Sequence, residues 1–249
     1  MIPYQPSPII FTIGPLAIRY YSIAYLIGFV LAYFWLAKRF GKETAEDSLF
    51  WIVLATIIGG RLGEFVFYSP ITFWTDPLEI LKIWHGGMSF HGGLIALVLV
   101  TFWYCRKHKI KFLDFADTLV VPGALALGLG RIANFLNGEL VGTVTNLPWC
   151  MNFPGYIGCR HPSQLYEAAY SFLLAGILYW QYRKKHEAGF MLALFVTLYG
   201  LFRFIENFVR DEPRILGLSM GQVLSLIMLI IGAYFLSTKY KKSVSRMFA

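Results

Sequence analysis

Apolar residues in this sequence come in long blocks, and polar residues collect in the short stretches between them. Seven blocks run at about residues 20 to 37, 49 to 68, 88 to 104, 113 to 130, 163 to 181, 189 to 207 and 219 to 237. A helix needs about 20 apolar residues to cross the ~30 Å hydrocarbon layer, with a range of about 17 to 25. Each block meets that length. All are predicted as helices, because lipid offers no partner to an open strand edge. The expected fold class is therefore all-α, a polytopic transmembrane bundle of about seven helices.

The polar stretches are asymmetric. Lys38, Arg39 and Lys42 follow the first block; Arg106, Lys107, Lys109 and Lys111 the third; Arg183, Lys184 and Lys185 the fifth; Lys239, Lys241, Lys242 and Arg246 the seventh. These are fourteen of the 22 Lys and Arg residues, all on one side of a seven-span chain. Short cytoplasmic loops are the basic ones, so the C-terminus is expected in the cytoplasm and the N-terminus outside. The Pro-containing stretch before the first block lacks the basic leader of a cleavable signal peptide. It predicts an interfacial segment and a retained first span. Residues 69 to 87, 131 to 162 and 208 to 218 then form the external connections. The Gly, Pro and Asn content of 131–162 predicts a small irregular external cap.

Composition agrees with the pattern: 57% hydrophobic and 14% charged, against about 25% charged in a soluble domain. Without a linker or repeat, residues 1–249 are expected to form a single integral membrane domain. A net charge of +8 raises nucleic acid as a partner, but the cations are scattered between apolar runs, so no nucleic acid is expected. Membrane lipids are. Cys150 and Cys159 both fall in the cap, where a disulfide can persist; a bridge and two unpaired thiols both fit the spacing. No Cys/His spacing resembles a metal site, and neither metal nor cofactor is expected.

Ionisable groups inside spans are costly and need a partner or a task. Arg61 and Glu64, His91, Arg131, Glu167, Arg203 and Glu206 all fall toward the outer ends of their spans. Asp114 and Asp117 lie at the cytoplasmic end and read as interfacial or helix N-terminal charges. The outer set admits two readings. One is a network of ion pairs, such as Arg61 with Glu64, that holds helices together. The other is a phosphate pocket, since the guanidinium fork stays charged and donates paired hydrogen bonds. His91 stands among glycines that permit close approach, whereas His85, His108 and His186 have weaker contexts. GLGRIANFLNGELVG, residues 128–142, is the densest polar cluster, with Arg131, Asn134, Asn137 and Glu139 within nine residues. Arg131 and Asn134 share a helical face, and Gly138 and Gly142 favour a turn that places the amides and Glu139 around a headgroup.

GRIANFLNGELVG resembles the signature of bacterial prolipoprotein diacylglyceryl transferases. GGMSFHGG around His91, GGRLG around Arg61, HPSQLYE from His161 to Glu167 and YGLFRF from Tyr199 to Phe204 carry the resemblance along most of the chain. It implies transfer of the diacylglyceryl group of phosphatidylglycerol to the lipobox cysteine of a prolipoprotein signal peptide, forming a thioether and releasing glycerol phosphate. It implies a bacterial cytoplasmic-membrane enzyme with its site toward the outer leaflet. Arg131 and Arg203 correspond to the family's phosphate-handling pair and His91 to its proposed general base. Asn134, Glu139 and Gly142 match signature positions, with Asn137 in the same run, and Tyr21 and Tyr199 match pocket tyrosines. Arg61 joins the substrate-binding set.

Two positions depart from the family. Four residues after Arg203 the family usually has Glu, whereas this chain has Asn207 with Glu206 just before it, so the expected ion pair must be rebuilt or absent. Glu64 stands where the family often has Tyr, and can pair with Arg61. A transporter uses similar intramembrane charges, but the one-sided charge and missing inverted repeat argue against it. Another enzyme acting on phosphatidylglycerol headgroups differs only in the acceptor.

Overall fold

The computed structural model describes residues 7–14, 16–82 and 86–247; His85 lies outside the described residues. The segment before the first span forms an antiparallel hairpin, β1 (Ile9–Ile13) and β2 (Leu16–Arg19), with Ile9 opposite Arg19 and Thr12 opposite Ala17. The Ser7 amide donates to the Leu136 carbonyl at 3.2 Å.

Helices follow: α1 (Tyr20–Phe40), α2 (Lys42–Phe67), the short α3 (Pro70–Thr75), a 3-10 turn at Pro77–Leu81, α4 (Phe90–Lys107), α5 (Phe112–Asn137), α6 (Ser163–Tyr182), α7 (Phe190–Glu206), α8 (Met220–Ser237) and the short α9 (Lys241–Ser245). A two-residue hairpin, β3 (Arg214–Ile215) with β4 (Leu218–Ser219), precedes α8. The all-α class stands. Every predicted span coincides with one long helix, and α1, α2, α5 and α8 are each long and apolar enough to cross a membrane.

Two helices outrun their predicted spans. α2 begins at Lys42 instead of residue 49, and α5 continues to Asn137 instead of ending at 130. Apolarity reports only the part of a helix that sits in hydrocarbon. Polar end turns, such as KETAEDS and RIANFLN, remain helical beyond it. The irregular segment between α5 and α6 accordingly spans residues 138–162 rather than beginning at 131.

The chain divides into two compact units, residues 33–115 and residues 1–32 with 116–249. In the first, α2 packs on α4 through glycines. A Cβ on Gly63 would stand 2.7 Å from Gly92 Cα, and one on Gly92 only 2.3 Å from the Gly59 carbonyl oxygen. Close backbone approach of this kind supplies dispersion contacts where lipid removes the hydrophobic drive between helices. In the second unit, Asp117 of α5 accepts from the amides of Gly189 (2.7 Å) and Leu192 (2.8 Å), so it caps the start of α7. That agrees with its reading as a helix N-terminal charge, though the helix it serves is not its own.

Burial departs from that of a soluble protein in two ways, in the polar groups it hides and the large apolar ones it exposes. Gln164, Glu167, Ser171, Gln181, Asn207 and Gln222 are buried, while Leu26, Phe34, Phe50, Leu99, Leu173 and Ile230 are exposed. The described chain is a multi-pass membrane protein.

Candidate functional site

The polar residues of the larger unit meet where α5 ends, α6 begins and α7 ends. A single turn starts the arrangement. Gly138 takes a left-handed φ of 71°, which a Cβ would oppose. Its amide donates to Phe135 O at 2.9 Å, and the Glu139 amide to Asn134 O at 3.2 Å. This bond pair closes α5 as a Schellman motif and folds Glu139 back over the last turn. Glu139 Oε1 then accepts from Tyr21 Oη at 2.6 Å, Asn134 Nδ2 at 3.1 Å and Asn137 Nδ2 at 3.0 Å. Asn134 Nδ2 also donates to Tyr21 Oη. Buried Gln164 fixes the Glu139 carbonyl at 2.6 Å. Four of the residues named from sequence thus form one hydrogen-bonded group.

Arg131 lies one turn earlier and donates to Asn134 Oδ1 at 3.0 Å, as the shared face requires. Its Nε faces Glu167 Oε1 at 2.9 Å. Glu167, on the second turn of α6 and 1% exposed, gathers the rest. Arg203 Nη1 reaches its Oε2 at 2.7 Å and Arg210 Nη1 at 3.1 Å. Tyr199 Oη donates to Oε1 at 3.4 Å. Three guanidiniums therefore converge on one buried carboxylate. Such a group is tolerable in a low-dielectric setting only because each charge has a partner.

The pair in doubt after Arg203 is rebuilt. Glu206 takes Arg203 Nη1 at 2.8 Å from position i+3. Asn207 instead turns its side-chain amide onto the Arg203 carbonyl at 3.0 Å and is fully buried. Glu212 completes the cluster, with Oε1 3.3 Å from Arg203 Nη2 and 2.5 Å from Arg210 Nε.

Glu167, Arg210 and Glu212 were not among the site residues named from sequence. Glu167 had a signal, a carboxylate inside an apolar span. Arg210 and Glu212 had none, because the connection after α7 reads as a solvated loop. Tertiary contacts fold it inward: the Thr143 amide donates to Val209 O at 2.8 Å, and Gly142 bridges Arg210. Gly142 sits where three backbone stretches pass. A Cβ there would stand 2.6 Å from both His161 Cβ and the Val209 carbonyl oxygen, which accounts for glycine by packing.

Beyond Gly142, Cys150 and Cys159 are joined in a disulfide with Cα atoms 5.4 Å apart. Arg160 clamps the same region, donating to Gly142 O at 3.1 Å and pairing with Asp211 at 2.6 Å. His161 Nδ1 lies 3.2 Å from Tyr166 Oη, which accepts from Trp149 Nε1 at 2.7 Å. Burial pushes the His161 imidazole below its ordinary value.

Arg61 and His91 belong to the smaller unit. Arg61 does not pair with Glu64. Its guanidinium donates to the carbonyls of Glu79 (2.6 Å), Ile80 (3.1 Å), Lys82 (3.0 Å), Gly87 (3.0 Å) and Gly86, and its carboxylate partner is Glu79 at 3.7 Å. It also lies over the Phe65 ring, 4.9 Å from the centroid. These carbonyls, of the 3-10 turn, Lys82 and Gly86–Gly87, need donors, and a guanidinium has five. His91 is exposed on the first turn of α4, beside the Ser89 N-cap and against the Phe90 ring. His108 stacks on Tyr104 and His186 on Phe190, each with centroids 4.2 Å apart.

The prolipoprotein diacylglyceryl transferase family matches residues 8–238. A phosphatidylglycerol–prolipoprotein diacylglyceryl transferase of Vibrio cholerae serotype O1 is 44% identical over 253 residues, covering 96% of this chain and 93% of that protein. Proteins of the same name from Vibrio vulnificus and Pseudoalteromonas atlantica are 42% and 43% identical, covering 95% and 92% of this chain and 92% and 87% of theirs.

Proposed function

This chain belongs to the prolipoprotein diacylglyceryl transferase family, and from that premise we propose how its residues divide the work of the reaction. It is a transferase that moves the diacylglyceryl group of phosphatidylglycerol to a prolipoprotein. In our reading the acceptor is the lipobox cysteine thiol of the signal peptide. A carbon–sulfur bond forms as the bond between the glyceryl carbon and the phosphate oxygen breaks, glycerol phosphate leaves, and the thiol proton passes to a base.

Two physical demands follow. The leaving phosphate gains negative charge as the C–O bond opens, so donors placed on it bind the transition state more tightly than the ground state. Arg131 and Arg203 are assigned that role, with Tyr199 beside them. The single observation that carries the assignment is the convergence of Arg131, Arg203 and Arg210 on Glu167, because groups already arrayed around an anion need little reorganisation to hold another. The second demand is the thiol. At a free pKa of about 8.5 it is mostly protonated near neutrality, and His91 is assigned as the acceptor of its proton.

The remaining residues bind and orient. Tyr21, Asn134, Asn137 and Glu139 form the polar group for the headgroup hydroxyls. Gly142 permits the close backbone approach at His161 and Val209, and Arg61 is assigned a supporting role in substrate binding by holding the carbonyls of Glu79, Ile80, Lys82, Gly86 and Gly87. We further place the protein in the bacterial cytoplasmic membrane as one functional domain, residues 1–249, with its N-terminus outside and its C-terminus in the cytoplasm. The basic ends of α1, α4, α6 and α8 support this. The acidic and basic site residues at the opposite ends of α5, α6 and α7 then face the outer leaflet, with the disulfide-linked segment as an external cap.

The test is direct. Purified protein with phosphatidylglycerol and a lipobox peptide should give a peptide heavier by one diacylglyceryl group. A peptide of unchanged mass would sink the reading, and a different modified acceptor would transfer it to another headgroup enzyme.

A further inference from the structure

The cluster at the end of α7 holds three guanidiniums, Arg131, Arg203 and Arg210, and three carboxylates, Glu167, Glu206 and Glu212. With all six ionised it carries no net charge. In a cluster balanced in this way each guanidinium already faces a carboxylate. A phosphate enters most readily where one of those carboxylates can give way.

The three carboxylates are not equivalent. Glu167 is 1% exposed at its side chain and Glu206 is 4%, and both sit within long helices. Glu212 is 25% exposed and lies outside any helix, between α7 and the β3–β4 hairpin. Its position is also the one most like an anion site. A single oxygen, Oε1, bridges Arg203 Nη2 and Arg210 Nε, the paired cationic arrangement that phosphate oxygens favour. The other oxygen turns to the first turn of α8, where a Cβ on Gly221 would stand only 3.1 Å from Oε2. An 18-residue helix presents positive partial charge at that end. Glycine there leaves room for the carboxylate.

We propose that Glu212 is the resident counter-anion of the phosphate site, its carboxylate occupying the place between Arg203 and Arg210 that the substrate's phosphate takes when it binds. The inference rests on the phosphate-handling role assigned above to Arg203. Glu212 then acts as a positioning residue. In the resting enzyme it keeps the two guanidiniums aimed at one point, and it sets the threshold that an anionic headgroup must exceed to enter. Binding swings Glu212 outward into water, a short move for a side chain already partly solvated. Buried Glu167 stays and holds the other edges of Arg131, Arg203 and Arg210.

The experiment compares full-length wild type with Glu212→Gln and Glu212→Asp, in detergent and in phosphatidylglycerol vesicles. Kinetics give kcat and KM separately, and calorimetry gives the affinity for glycerol phosphate. Removing the competing charge in Glu212→Gln should lower both KM and the glycerol phosphate Kd about tenfold, the change that 1.4 kcal/mol produces, without raising kcat. Glu212→Asp keeps the charge but shortens the reach, so it should shift both constants the same way by less. It also carries the test if the Gln variant does not fold. A KM and Kd that stay unchanged or rise in folded variants would overturn the proposal. Wild type that transfers no diacylglyceryl group would overturn the functional reading instead, so the two failures are distinguishable.

Discussion

Arg61 and Arg203 look alike in sequence, each an arginine inside an apolar span with glycine and aromatic neighbours, but they have different kinds of partner. Arg61 spends its hydrogen bonds on the backbone carbonyls of Glu79, Ile80, Lys82, Gly86 and Gly87, with the Glu79 carboxylate farther off at 3.7 Å. Arg203 spends its donors on the carboxylates of Glu167, Glu206 and Glu212. A carbonyl cage is fixed by the fold, and nothing that diffuses in replaces it. A carboxylate is an anion, and a phosphate competes with it on equal electrostatic terms. The kind of partner, more than the presence of an arginine, separates a guanidinium that shapes a loop from one that can receive a substrate.

The sharpest way to break this comparison is to remove each arginine in turn. Arg131→Ala and Arg203→Ala should lower kcat by about 10²–10³-fold, the usual loss for a preorganised donor at a developing charge, while the protein still inserts. Arg61→Ala should act mainly on stability, lowering the thermal midpoint in detergent with a much smaller kcat change. An inverted result would reverse the assignments.

Glu167→Gln tests the hub itself. Three guanidiniums would lose their shared anion, and breaking a buried ion pair costs roughly 3–5 kcal/mol. The expected readouts are a lower unfolding midpoint and loss of turnover, neither restored by added salt. Normal activity in this variant would mean that the arginines do not need Glu167 to be positioned.

The smallest effect is expected at the disulfide. Changing both Cys150 and Cys159 to Ser opens a short loop, for which chain entropy gives about 2–3 kcal/mol. The cap should lose protease resistance, and transfer should persist, because the Thr143–Val209 and Asp211–Val141 backbone bonds still hold the segment that carries Arg210. Complete loss of transfer would show that the cap, too, positions the arginines.

Much of this was legible in the sequence for a simple reason: crossing lipid imposes length and apolarity on every span. Among the described residues the seven long helices fall where the apolar blocks do. The polar run at 131–139 was legible too, because Arg131, Asn134, Asn137 and Glu139 are local neighbours joined by a helix end and a turn. The partners of Arg61 were not. Glu64 is three residues away, yet Glu79 and the carbonyls around it win because the 3-10 turn packs on α2. Asn207 and Glu206 show the same limit, since a one-position shift in sequence was absorbed by an i+3 pair.

The chain's pattern of blocks, charges and glycines thus determined the fold class, the spans, the basic ends and the local polar turn, all consequences of residues near one another or of the solvent they face. Only the tertiary structure decided which charges meet. It brought Glu167 from α6, Arg203 from α7 and Arg210 and Glu212 from the following loop onto one cluster, because long-range backbone contacts such as Thr143 to Val209 fix where a loop returns. Sequence spacing does not encode that return, so the choice between ion-pair scaffold and phosphate site rests on partners that are distant along the chain.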